Sequence, residues 1–159
     1  MIEIVSGDLF LAEEKYIAHQ CNCVTSKAAH LSADVFAKYP YADVYTGRTI
    51  PNKPGTIIVR GDGQTQRYVI NCFGQFYPGK SRYPHSEKDG IAARNKYFHQ
   101  CLLHIARIPN LESVAFPWKI GCGAAGGNWE TYLGNLTIFA NHVEKTGVRV
   151  RVYKREGDE

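Results

Sequence analysis

The sequence predicts an α/β fold of three layers, α/β/α, with a central mixed sheet. Strand-like and helix-like apolar patterns mostly take turns along the chain, as they do where helices cover a sheet. Residues 56–73 interrupt that alternation with a hairpin, the antiparallel part that makes the sheet mixed. The length of 159 residues suits one domain with one core, and no repeat, linker or low-complexity segment divides it.

Ile2–Val5 is a short apolar strand that ends at Gly7-Asp8. Tyr16–Gln20 is a second strand and runs into a loop from Cys21 to Ala29. Leu31, Val35, Phe36 and Tyr39 recur at helical spacing, and Pro40 ends that helix because proline cannot continue the ladder. Pro54-Gly55 turns the chain into a strand at Thr56–Arg60, and Gly61-Asp62-Gly63 turns it back into Arg67–Phe73. A polar loop punctuated by proline and glycine follows, from Gln75 to Asp89. Ile91, Phe98, Cys101, Leu102 and Ile105 form a helical stripe. After Pro109 comes a buried strand from Ser113 to Phe116. Asn128 is placed to cap the last helix, whose stripe runs through Trp129, Tyr132, Leu136, Phe139 and Val143 until Gly147 stops it. Val148–Tyr153 alternates as a strand does, and Glu156–Glu159 reads as a disordered tail beyond a folded unit of residues 1–155.

Composition narrows the function. An apolar fraction of 44% and a charged fraction of 21% are ordinary for a soluble domain, and no apolar run approaches the ~18 residues of a membrane span. The formal charge of +4 fits an anionic small ligand better than nucleic acid, since no Lys/Arg run exceeds two residues. Five cysteines (21, 23, 72, 101 and 122) form no CxxC pair, and Cys21-x-Cys23 lacks zinc spacing. Reduced thiols in a cytoplasmic protein, with a nuclear address as the alternative, are the expectation; so are a monomer and a site with neither metal nor cofactor.

The most informative stretch is Gly121-Cys122-Gly123-Ala124-Ala125-Gly126-Gly127, a flexible loop between a buried strand and a helix. Its glycines let the backbone approach a ligand and turn N–H groups toward it, as phosphate-binding loops do. Asp8, at the end of the first strand, either accepts from the exocyclic amine of a base or caps a short turn. Asn22 either holds a vicinal diol or ties down its own loop. Lys27 and His30 are placed to meet a phosphate charge. His19 is either an acid–base group or a hydrogen-bonded structural residue. Cys21 and Cys122 lack a neighbour that would lower a thiol pKa. The basic, aromatic stretch from Tyr77 to His85 is either a lid or a solvated loop.

Together these pieces resemble a macro domain, the ADP-ribose-binding module, over almost the whole chain and in the expected order. Gly7-Asp8-Leu9 resembles the adenine-binding Gly-Asp-Ile/Leu, and Pro54-Gly55-Thr56 the Pro-Gly before the third strand. Val69–Gln75 is similar to the family's Val-Ile-His-x-Val-Gly-Pro, and Phe116-Pro117 with Ile120–Gly126 to its second phosphate loop. His19-Gln20-Cys21-Asn22-Cys23 is similar to the branch of ADP-ribose-1''-phosphate phosphatases and terminal ADP-ribose glycohydrolases. The resemblance implies ADP-ribose lying across the strand ends. Asp8 and Leu9 would read adenine, Tyr153 would stack, and Asn22 would face the distal ribose. Ala29, His30 and Leu31 of the first loop would wrap the diphosphate, with Phe116, Gly121, Cys122, Gly123, Ala124, Ala125 and Gly126 around the second.

The departures from the family pattern concern catalysis. Ala28-Ala29-His30 stands where most members have three glycines. Ser32 and Ala125 stand where hydrolases carry aspartates, and the glycohydrolase lysine would fall near Cys72 or Phe73. His19, His30 and Cys122 remain as catalytic candidates. The expected function is an ADP-ribose binder that hydrolyses ADP-ribose-1''-phosphate or ADP-ribosylated protein or nucleic acid. The alternative is a non-catalytic reader of ADP-ribose.

Overall fold

The computed structural model describes all 159 residues, Met1–Glu159. Six strands form one sheet: β1 (Glu3–Ser6), β2 (Tyr16–Cys21), β3 (Ile57–Arg60), β4 (Tyr68–Phe73), β5 (Ser113–Pro117) and β6 (Arg149–Lys154). Their order is β1-β6-β5-β2-β4-β3. Every neighbouring pair is parallel except β3 and β4. Three helices complete the fold: α1 (His30–Lys38), α2 (Ile91–Ala106) and α3 (Trp129–Glu144). The expected mixed α/β architecture and its antiparallel hairpin are therefore present.

Strand β2 shows how the layers arise. Successive side chains alternate between faces. Tyr16 and Ala18 enter the core shared with α2 and α3, which also holds Phe98, Leu136 and Phe139. Ile17 and Cys21 enter the core shared with α1, which also holds Val35 and Phe36. β5 is buried along its whole length, as a strand covered on both faces must be.

The hairpin turn is fixed locally. Asp62 accepts the N–H groups of Gln64 (2.8 Å) and Gln66 (2.9 Å) and the Thr65 hydroxyl (2.9 Å). These donors, Gln66 and Gln64 first, hold its carboxyl down at about 2. Gly61 has φ +104, and a Cβ there would fall 2.3 Å from Arg67 O, so the turn needs glycine. Asn128 caps α3 as expected, its Oδ1 accepting the Thr131 N–H at 3.1 Å.

Of two short 3-10 turns, Leu9–Leu11 is the turn that Asp8 was placed to cap, and Pro40–Ala42 was not expected, because three residues carry no periodic signal. At the C-terminal tail, Arg155 N–H donates to Asp158 Oδ2 (2.8 Å), and the Trp118 indole N–H donates to Glu159 O (2.8 Å). A partner 41 residues away leaves no trace in the tail's own composition. No helix is long and apolar enough to cross a membrane.

Candidate functional site

The parallel strands deliver their C-terminal ends to one edge of the sheet, where open α/β sheets hold ligands. There β1 leads to Asp8, β2 to Asn22, β4 to Gln75, β5 to Trp118 and β6 to Arg155. Two adjoining cavities, of about 250 Å³ and about 330 Å³, open along this edge. They share Leu31, Pro117, Trp118 and Lys119. Together they reach the size range of small-molecule sites.

Their charges differ. The first cavity is lined by Lys27, His30 and Lys119 and by no carboxylate. The second is lined by Asp8, Asp34, Asp158 and Glu159, with Arg155 and Lys119. Two loops shape the first cavity, residues 22–31 after β2 and 121–127 after β5. Gly121 (φ +74) has no room for a side chain: a Cβ would fall 2.5 Å from the Tyr132 ring and 2.8 Å from Gln20 Oε1. The N–H groups of Gly121, Gly123, Ala124 and Ala125 make no hydrogen bond within the protein. Nor do those of Ala29, His30, Leu31 and Ser32, the last three being the first turn of α1. All eight residues line the first cavity, and two rows of free main-chain donors, one of them at the N-terminus of α1, suit an anion.

The first loop is braced by Arg48. Its Nε and Nη2 donate to Thr25 O (2.8 and 2.5 Å), its Nη1 donates to Asn52 Oδ1 (2.7 Å), and its guanidinium lies over Tyr45, 4.5 Å from the ring centre. The second loop is braced by Arg94, which is buried in an ion pair with Asp89 (2.7 Å). Arg94 also donates to Tyr77 O (3.1 Å), Gly79 O (2.7 Å) and Ala125 O (3.2 Å). Asp89 Oδ1 accepts the Phe76 N–H (2.7 Å), so one buried pair joins the 76–79 strap to the second loop. Gln75 adds a second tie, donating to Tyr77 O and accepting from Gln20 Nε2 (2.9 and 2.7 Å).

No protein-family profile matches this sequence. The chain is similar to an uncharacterized 17.5 kDa protein of the tk-vs intergenic region of Enterobacteria phage T4. The two are 21% identical over 157 residues, which cover 91% of this chain and 93% of the phage protein. Among solved structures it is similar to the macrodomain of Mycobacterium tuberculosis DarG, with a TM-score of 0.72 and 24% identity over 96% of this chain and 97% of that one. The macrodomain of Thermus aquaticus DarG superposes at a TM-score of 0.68, with 23% identity over 97% of this chain and 98% of that one. A Trypanosoma brucei macrodomain, solved in complex with ADP-ribose, superposes at 0.66 with 13% identity, covering 97% of this chain and 63% of its own. This chain has the macrodomain fold.

In this macrodomain cleft most of the residues expected at the site are brought together. Asn22, Ala29, His30, Leu31, Gly121, Cys122, Gly123, Ala124 and Ala125 line the first cavity, and Asp8, Leu9 and Tyr153 line the second. Phe116 and Gly126 line neither. Phe116 is fully buried in the α2/α3 core, because the β5 side chain that reaches the edge is Pro117. His19 is a further correction. It sits inside β2 on the face toward α1, with Nε2 2.5 Å from Asn71 Oδ1, Nδ1 3.0 Å from Ser32 Oγ, and Phe36 edge-on. Burial lowers its pKa to about 4, against a smaller pull from Asn71, so it braces the floor and does not face the cavity.

Cys122 lines the cavity, but burial raises its thiol to about 12, the Lys119 ammonium pulling weakly the other way. A thiol held protonated is a poor nucleophile near neutral pH. The Cys21 thiol is also raised by burial, and all five cysteines are free. No group of three or more His, Cys, Asp or Glu is placed to hold a metal ion. Asn22 ties its own loop: its Oδ1 accepts from Val24 N (3.0 Å), Thr25 N (2.9 Å) and Arg48 Nη2 (3.2 Å). Asp8 caps the Leu9–Leu11 turn through Oδ1 (2.9 Å to Phe10 N) and leaves Oδ2 without a protein partner. Tyr153 donates its hydroxyl to the buried carboxylate of Glu14. The strap after Gln75 is anchored at its base, with Tyr83 exposed at its tip.

Sequence reasoning missed Lys119, Gln20, Gln75 and the Arg94–Asp89 pair. Arg94 carried a usable signal, since it falls at helical spacing between Ile91 and Phe98 on the predicted apolar stripe. The structure buries Arg94 and leaves Ile91 56% exposed.

Proposed function

We propose that this protein binds ADP-ribose, with the diphosphate in the carboxylate-free cavity and the adenosine end in the acidic one. The observation that carries this reading is the pair of free main-chain donor rows, residues 29–32 in the first loop and Gly121, Gly123, Ala124 and Ala125 in the second, around a cavity lined by no carboxylate. Several N–H bonds to a charged diphosphate, each about 1.5–3 kcal/mol before costs, support micromolar affinity. In the second cavity the free Asp8 Oδ2 suits the adenine amino group, and the Tyr153 ring is the aromatic surface for its face. The likeness to a macrodomain solved with ADP-ribose supports the same ligand.

The catalytic reading is hydrolysis of an ADP-ribose derivative whose leaving group is anionic, such as the 1''-phosphate. The lack of carboxylates in the first cavity favours that charge over an acidic surrounding that would repel it. His30 is the only imidazole lining this cavity and is the candidate to move the proton for an attacking water. The test is calorimetry with ADP-ribose followed by incubation with ADP-ribose-1''-phosphate, mono-ADP-ribosylated protein and ADP-ribosylated DNA. Micromolar binding with release of phosphate supports both readings. Binding without turnover on any of the three leaves a reader, and no binding rejects the ligand.

A further inference from the structure

Only four non-glycine residues have a positive φ, and two of them, His30 (φ +55) and Lys119 (φ +58), line the first cavity. The left-handed region is costly for side chains with a Cβ, and it persists only where the surroundings impose it. The two residues come from different loops. His30 opens α1 after the first loop. Lys119 holds the third place of a turn closed by the Ile120 N–H on Pro117 O (3.2 Å), where positive φ usually selects glycine.

Neither side chain is occupied by the protein. No hydrogen bond or ion pair holds the His30 ring or the Lys119 ammonium, although Glu14, Asp89 and Glu112 are all engaged with lysines or arginines elsewhere. His30 is exposed and Lys119 half-buried. The only other charged side chain lining this cavity is Lys27, and the nearest carboxylates on these elements, Asp34 and Asp8, line the neighbouring cavity. Glycine would relieve the backbone at both places. Instead each carries a side chain with an unpartnered N–H donor into a site whose main-chain donors already suit an anion.

We propose that His30 and Lys119 are a paired side-chain clamp on the diphosphate, and that the fold tolerates the strain of both residues for the sake of ligand binding. This rests on the ADP-ribose reading and adds to it: the clamp makes this protein select diphosphate ligands over monophosphates more strongly than main-chain donors alone would. Lys119, shared by both cavities, meets the phosphate nearer the adenosine, and His30 meets the cavity from the α1 side.

Strain and binding make opposite demands, so replacement by glycine separates them. His30→Gly and Lys119→Gly are each expected to hold or raise the melting temperature of the ligand-free protein and to weaken ADP-ribose and ADP by about tenfold. AMP, which carries the phosphate Lys119 meets, is expected to weaken with Lys119→Gly and to lose little with His30→Gly, and adenosine to lose nothing with either. His30→Ala and Lys119→Ala keep the strain, so they should weaken binding equally without the thermal gain, and Lys119→Arg should restore most of the affinity. Calorimetry and differential scanning read both quantities. Glycine variants that bind ADP-ribose as tightly as the parent, or that melt lower than the alanine variants, overturn the clamp. A parent that binds ADP but has no preference for ADP-ribose overturns the distal-ribose reading and leaves the clamp standing, whereas a parent that binds neither overturns both.

Discussion

A histidine four residues into a central strand stays neutral because it is buried, and its neighbours fix where its proton sits. Asn71 Nδ2 donates to Ala42 O and Ile58 O (both 3.2 Å), which leaves Oδ1 to accept from His19 Nε2. The proton therefore sits on Nε2, and Nδ1 lies 3.0 Å from Ser32 Oγ, whose hydroxyl donates to Gln20 O at 3.2 Å. Burial holds the folded pKa at about 4 against an ordinary 6.5. Between those values the unfolded chain binds more protons, so stability is full above pH 6.5 and declines as pH falls toward 4. The loss from this residue reaches about 2 kcal/mol by pH 5. Urea denaturation at pH 7 and pH 5 is expected to show a steeper decline for the parent than for His19→Gln. Equal declines would place the pH dependence elsewhere. Asp8 offers a cleaner test of ligand contact, because its two oxygens have separate tasks. Asp8→Asn keeps a capping oxygen and replaces the free acceptor with a donor. Melting temperature is expected to hold while ADP-ribose affinity falls about tenfold, or ~1.4 kcal/mol.

At the scale of elements, Arg94 converts three loosely connected pieces into one frame. It sits on α2 and reaches the strap at Tyr77 and Gly79 and the second loop at Ala125. Removing it leaves the Asp89 carboxylate buried without its counter-ion, a loss of about 3–5 kcal/mol. Arg94→Met is expected to show that loss in chemical denaturation and faster exchange of the bonded Phe76 and Gly126 amides. Unchanged exchange there would mean the strap is held by Gln75 alone. The strands and helices themselves were legible because each repeats its pattern over four or more residues, and the Gly121–Gly127 loop announced itself by composition. Features that depend on one distant partner were not legible. Trp118 bonding to Glu159 and Arg94 bonding to Ala125 are contacts between segments whose own sequences say nothing of each other. His19, open in the sequence between an acid–base group and a hydrogen-bonded structural residue, is the structural one for a related reason. It lies inside the strand under either set of bounds, and only the packing of α1 on that face shows that its side chain turns away from the cavity.

Across the whole molecule, the parallel order β1-β6-β5-β2-β4 sets an acidic cavity beside a cationic one along a single edge. A ligand with an amine-bearing aromatic end and a doubly charged middle matches both at once, whereas a fragment matches only one. Joining the two ends in one molecule makes the second contact intramolecular, so ADP-ribose should bind more tightly than AMP and ribose-5-phosphate mixed at the same concentration. Ligand bound only by the folded state stabilises it by mass action, about 2.7 kcal/mol at a hundredfold excess over Kd. For a chain of this length that corresponds to a rise in melting temperature of roughly 5–10 °C. The cavity is open to solvent on its cationic side, where His30 is exposed, so the rise should shrink as salt screens the diphosphate. Thermal shifts recorded with ADP-ribose, AMP and ribose-5-phosphate at 50 mM and roughly 500 mM salt test this. A rise with AMP as large as with ADP-ribose, and insensitive to salt, would mean that the acidic cavity alone holds the ligand and the cationic one serves something else.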